Sequence, residues 1–210
     1  MSKQPIRLIN LFRYYRGLPH QTAAINELER VISERLPTVF TRDNDWYVTW
    51  TSDAPSKDYA VAKELISQFE GCHLNAYLCP AGVPTIGWGS TRYPDGSRVR
   101  LGQSISQQRA DELLNHEIER IARVLEESVP YWDDMNINQK SALISFGYNL
   151  GAYFYNGSSF GTISRVLRSK AWDQVPNALL LYRNPGTHFE AGLKRRRIAE
   201  GDLFMKPVRP

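Results

Sequence analysis

The sequence predicts an α+β fold: a mostly helical domain with a small β-hairpin lobe, preceded by a small N-terminal α/β unit. Three observations predict it. After residue 56, apolar residues recur at helical spacing in several stretches. One block, residues 72–100, is instead dense in Gly, Pro and strand formers. Before residue 53, a helical pattern lies between two strand-like runs. Asp53-Ala54-Pro55-Ser56 reads as the linker, so the chain divides into 1–55 and 56–206.

In the first unit, Ile6–Tyr15 reads as a strand or short extended piece. Pro19 stands where a first helical turn could begin. Ala24, Ile25, Leu28, Val31, Ile32 and Leu36 then recur at helical spacing up to Pro37. Trp46–Thr51 alternates and is rich in strand formers. The result is a strand–helix–strand unit, small enough to lean on its neighbour.

In the second unit, Val61, Ala62, Leu65, Ile66 and Phe69 mark a helix that Gly71 is placed to end. The block that follows reads as a hairpin region with a turn at Asp95-Gly96. Ala110, Leu113, Leu114, Ile118, Ile121 and Leu125 mark a second helix. Asn136 and Gln139 have the spacing of a capping box before a third, buried helix through Leu150. Short helices should cover 160–182 and 188–204.

Composition narrows the function classes. With 42% hydrophobic and 23% charged residues, the 210-residue chain belongs with soluble globular proteins. It has no apolar run of about 18 residues, so stable membrane insertion is not expected. The N-terminus lacks the apolar core of a secretory signal, so synthesis in the cytoplasm without a signal peptide is expected. Net charge is +4, concentrated in the tail: from residue 160 on there are ten Lys or Arg against four Asp or Glu. That suits either an anionic polymer or a solvated helix face. Cys72 and Cys79 lack metal-ligand spacing, and neither HExxH nor CxxC occurs, so no cofactor or metal is expected. A disulfide between the two cysteines is left open.

Glu70 is the first candidate for chemistry. It falls at the end of the first helix, where the carbonyl ends carry partial negative charge. Burial in a cleft would act in the same direction, and both favour a carboxyl that keeps its proton. A general acid working near neutral pH needs that.

The surrounding letters carry a resemblance. The run from Glu70-Gly71 through Ala76-Tyr77 to Gly82-Val83-Pro84-Thr85-Ile86-Gly87-Trp88-Gly89 is similar to the signature of phage-type lysozymes. Ala142–Gly151 resembles that family's buried helix, and Gly192-Leu193-Lys194-Arg195-Arg196-Arg197 resembles its closing helix. The likeness covers about residues 56–206 and implies a lysozyme-like domain whose two lobes bound a cleft. It implies a muramidase that cuts peptidoglycan between N-acetylmuramic acid and N-acetylglucosamine, released to act on the cell wall. The expected partner is bacterial peptidoglycan, not nucleic acid, and a monomer is expected. The alternative is a wall-binding protein of the same fold without the chemistry.

The family's catalytic set is a Glu, an acidic residue nine positions on, and a Thr six further. Those positions hold Glu70, Cys79 and Thr85. Cys79 therefore stands where an aspartate is usual, and Ser90 where a histidine is usual. Two routes remain open for the second half of the reaction. Cys79 could attack as a thiolate, with His73 a candidate stabiliser. Alternatively Thr85 could hold the attacking water while Cys79 polarises or stands by. Tyr77 and Trp88 could stack on sugar rings or pack in the core, and Asn149 matches a substrate-contacting position of the family. Consecutive helix residues point about 100° apart, so Arg195, Arg196 and Arg197 cannot all serve one site. In the first unit, Tyr14, Tyr15, Trp46, Tyr47 and Trp50 with Arg13 and Arg16 could form either a wall-binding face or that unit's own core.

Overall fold

The computed structural model describes strands Ile6–Arg7, Val39–Arg42 and Asp45–Val48 and the continuous stretch 59–208. The chain separates into two compact units, Met1–Asp58 and Tyr59–Pro210. In the first, β1 (Ile6–Arg7), β2 (Val39–Arg42) and β3 (Asp45–Val48) form an antiparallel sheet in the order β1-β3-β2. β2 and β3 pair from Val39 opposite Val48 to Arg42 opposite Asp45. Among its described residues the unit thus has three strands where the sequence suggested two, β2 being the one not read. The expected helix over Ala24–Leu36 and the extensions of the strand readings to Tyr15 and Thr51 lie outside the described residues.

The second unit opens with α1 (Ala60–Phe69), which buries Ala62, Leu65 and Ile66 at the predicted spacing. The helix ends where expected, with Glu70 as its C-cap and Gly71 directly after it. Glu70 itself leaves helical geometry, with φ −101° and ψ 135°, while its N–H still donates to the Ile66 carbonyl. Two strands follow, β4 (His73–Leu78) and β5 (Pro84–Gly87), paired antiparallel with Tyr77 opposite Thr85. Their connection is a tight turn in which the Gly82 N–H donates to the Cys79 carbonyl at 2.7 Å. Gly82 sits at φ +72°, a conformation that costs glycine little. The expected turn at Asp95-Gly96 is present, closed by the Tyr93 N–H on the Ser97 carbonyl. Ile86, Val99 and Leu113 form a small core beneath this lobe.

The rest is helical: α2 (Gln107–Ser128), α3 (Ile137–Leu150), α4 (Gly161–Arg168), α5 (Val175–Leu179) and α6 (Glu190–Met205). Ser106 caps α2 by accepting from the Arg109 N–H. Asn136 and Gln139 form the predicted capping box of α3, each side chain accepting from the other's N–H. From Ser141 to Gly147 every residue of α3 is buried, because α1, α2 and α6 surround it. A helix covered on all sides has no polar face to show, which is why its sequence lacks clear amphipathic periodicity. The stretch read as helix over 160–182 is broken into α4, a 3₁₀ turn at Trp172–Gln174, and α5. Among the described residues, no helix is long and apolar enough to cross a membrane.

Candidate active site

Glu70 turns out of α1 into extended backbone, and its side chain meets the closing helix α6. It retains 26% exposure and meets a single cation: the Arg196 Nη1 donates to Glu70 Oε1 at 2.6 Å. The sequence reading surrounded Glu70 only with burial and the helix end. The guanidinium is the group it missed, and Arg196 lies 126 positions away along the chain.

Arg196 is buried and held from several sides. Its Nε donates to Glu200 Oε1 at 3.2 Å and its Nη2 to the Ser145 carbonyl at 3.3 Å. The Phe69 ring lies 5.6 Å from the guanidinium carbon. Arg197 is also buried; its Nη2 donates to Glu200 Oε1 and to Asn149 Oδ1, both at 3.0 Å. Its guanidinium lies over the Phe146 ring. Arg195 is exposed. Two of the three consecutive arginines are therefore internal, as the helical geometry required of at least one. Glu200 sits between them, fully buried, and also accepts from the Ser145 hydroxyl at 2.8 Å. Burial pushes its carboxyl pKa up, while Arg197, Arg196 and the Ser145 hydroxyl pull it down.

The hairpin supplies the other candidates. Thr85 is buried on β5, and its hydroxyl donates to the Val83 carbonyl at 2.9 Å. Cys79 is half-buried at the start of the turn. Hydrogen bonds from the Val83 and Ala81 backbone lower its thiol pKa below the ordinary range, helped by the Thr85 hydroxyl. A cluster of N–H groups of this kind stabilises an anion. His73, the sequence candidate for that task, instead lies against Tyr77 with ring centroids 4.3 Å apart. The turn backbone, not the candidate imidazole, is what lowers the Cys79 thiol pKa. Cys72 faces Gln107 with Sγ 3.6 Å from Oε1, and both cysteines are free thiols.

Tyr77 lies beside both ends of this arrangement. Burial raises its pKa first, and the charges of Cys79 and Glu70 raise it further. Trp88 donates its indole N–H to Asp111 Oδ1 at 2.9 Å and packs against the main core. Its backbone carbonyl accepts from the Tyr148 hydroxyl at 2.7 Å. Asn149 is half-buried, its amide oriented by Arg197. Ser90 exchanges both backbone hydrogen bonds with Ile86, which gives that position a hairpin-supporting role.

A cavity of about 450 Å³ lies between the hairpin lobe and α2, lined among others by Gly89, Arg92, Tyr93, His116, Arg120 and Tyr148; Glu70, Cys79, Thr85, Tyr77, Trp88 and Asn149 are not among its lining residues. Tyr148, inside a motif quoted from the sequence but not singled out there, forms its inner wall. Burial, then the charges of Glu70 and Glu117, push its phenol strongly upward, so it remains a neutral donor. Tyr148 is thus the cavity residue on which the charge of Glu70 bears. The volume and the mixed polar and aromatic lining suit a sugar-sized ligand.

The family model described as phage lysozyme matches residues 67–200. The endolysin of Salmonella phage P22 is 34% identical over 136 residues, which cover 65% of this chain and 89% of that protein. The endolysin of Lactococcus phage c2 is 35% identical over 150 residues, 69% of this chain but only 58% of that protein. A crystal structure of a P22 lysozyme mutant superposes with a TM-score of 0.59 at 31% identity, covering 70% of this chain and 97% of that one.

Proposed function

This chain belongs to the phage lysozyme family, and on that premise we propose that it is an endolysin-type lysozyme, a glycoside hydrolase that lyses bacteria by cutting their peptidoglycan. The bond cut is the β-1,4 linkage between N-acetylmuramic acid and N-acetylglucosamine. What supports the reading is the family match over residues 67–200, together with Glu70 at the end of α1 and Cys79 and Thr85 in the hairpin that follows it.

The mechanism needs a proton for the leaving oxygen and a nucleophile for the anomeric carbon. Glu70 in its acid form gives its proton to the glycosidic oxygen as the C–O bond breaks. The bonding electron pair stays on that oxygen. A water molecule, oriented by the Thr85 hydroxyl, attacks the anomeric carbon from the opposite face. Its proton passes to the Cys79 thiolate, which the turn amides favour. Proton exchange with solvent then restores both groups. Tyr77 and Asn149 line the path of the glycan, and Trp88 acts through its carbonyl by fixing Tyr148. Arg196 and Arg197 of α6 are spent on internal ion pairs with Glu200, which leaves less basic surface for nucleic acid. The protein works as a monomer, reaching the wall after release from the host cytoplasm.

Digestion of purified peptidoglycan followed by mass spectrometry of the soluble fragments tests this. Muropeptides with N-acetylmuramic acid at the reducing end are expected. Binding without fragments, or reducing-end N-acetylglucosamine, would overturn the reading.

The N-terminal unit is read as a wall-binding attachment. Deletion of residues 1–58 should leave hydrolysis of soluble muropeptides intact and reduce co-sedimentation with insoluble walls. Unchanged sedimentation would remove the binding role.

A further inference from the structure

Glu200 is the only fully buried carboxylate among the described residues, and the mechanism above does not use it. A carboxylate is seldom enclosed without a reason, because its desolvation must be offset by partners. Here three donors converge on one oxygen: the Ser145 hydroxyl at 2.8 Å, Arg197 Nη2 at 3.0 Å and Arg196 Nε at 3.2 Å. The last of these donors belongs to the same guanidinium whose Nη1 reaches Glu70.

We propose that Glu200 is a positioning residue for hydrolysis, holding Arg196 so that its Nη1 meets Glu70 and sharing the positive charge that Arg196 would otherwise direct at the proton donor. The inference rests on the reading of Glu70 as that donor. An unshared guanidinium at 2.6 Å would favour the ionised form of Glu70, opposing its task. With Glu200 present, two guanidiniums face two carboxylates in the cluster. Without it, one positive charge is uncompensated beside Glu70. The other groups bearing on Glu70 are Tyr148 from α3 and Tyr77 from the hairpin, with Cys79 beyond it. None of them supplies a second cation or replaces Glu200. Arg197 faces away, over Phe146 and toward Asn149.

The test is steady-state hydrolysis of peptidoglycan by the full chain across pH, for wild type, Glu200→Gln, Glu200→Asp and Glu70→Gln. Activity that needs the proton on Glu70 is lost as pH rises. Removing a neighbouring negative charge eases loss of that proton, so this limb should move to lower pH. For Glu200→Gln a shift of about one pH unit and a fall in kcat of about tenfold are expected, with KM within about twofold. Glu200→Asp keeps the charge and should restore the limb, though not the full rate. A Glu200→Gln protein with lowered Tm but unmoved limb and kcat would overturn the proposal, since that is what a purely structural residue predicts. If Glu200→Gln does not fold, Glu200→Gln with Arg197→Met removes one buried charge of each sign. There a lowered kcat is expected, and wild-type kcat would overturn the idea. Full activity of Glu70→Gln would sink the donor assignment and this inference together. An inactive Glu70→Gln beside a wild-type-like Glu200→Gln would sink this one alone.

Discussion

Glu70→Gln should lower peptidoglycan hydrolysis by about 10³-fold, within the 10² to 10⁴ that a positioned general acid supplies. In free-energy terms that is about 4 kcal/mol off the stabilisation of the transition state. Glutamine is close to isosteric and keeps an oxygen for Arg196 Nη1, so the geometry of the pair should survive. What it lacks is an acidic proton. Stability should change little, because Glu70 is a quarter exposed and solvent weakens such an ion pair. The check is release of soluble muropeptides from dyed walls, beside thermal unfolding of the same preparations. Clearing by wild type with none by the variant, at similar Tm, assigns the loss to chemistry. Residual hydrolysis within tenfold of wild type would mean that another group gives the proton. A wall-binding protein without activity would show no difference, since neither form would release fragments.

How far the letters carry such an argument depends on whether the physics is local. The capping box at Asn136 and Gln139 is settled within four residues, so it was legible in full. The end of α1 was legible for a related reason: Gly71 marked it, and the chain goes extended at the C-cap, Glu70, directly before that glycine. In the site, the motif spacing identified Glu70, Cys79 and Thr85, yet not what surrounds them. Helical spacing could place Glu200 beside Arg196 and Arg197, three and four positions apart. It could not say that the same face would meet Glu70, because that contact is made only when α6 packs near the end of α1. Nor could side-chain letters reveal that backbone N–H groups of the turn would serve Cys79. A backbone donor has no letter of its own, and His73 was the nearest plausible substitute in the sequence.

Those turn amides make Cys79 the more informative target. Cys79→Ala removes the base and should lower kcat by about 10²-fold, while Glu70 and the cavity stay in place. Cys79→Ser should be about as poor, because a serine hydroxyl does not ionise near neutral pH. Cys79→Asp should retain substantial activity, since a carboxylate there can also take a proton from water. The pH dependence separates the variants further. The thiolate is present above its lowered pKa and lost as pH falls through it, so wild-type activity should fall on that side. In Cys79→Asp the corresponding limb should move to lower pH, because an aspartate ionises near pH 4. Product stereochemistry then decides between base and nucleophile. Attack by water predicts inversion, so proton NMR of early product should show the α-anomer at the new reducing end. Early β-anomer, or a glycosyl group trapped on Cys79, would instead show that the sulfur attacks carbon. The thiol would then be a nucleophile with net retention, and the role of Thr85 as holder of the first water would fall with the inverting scheme.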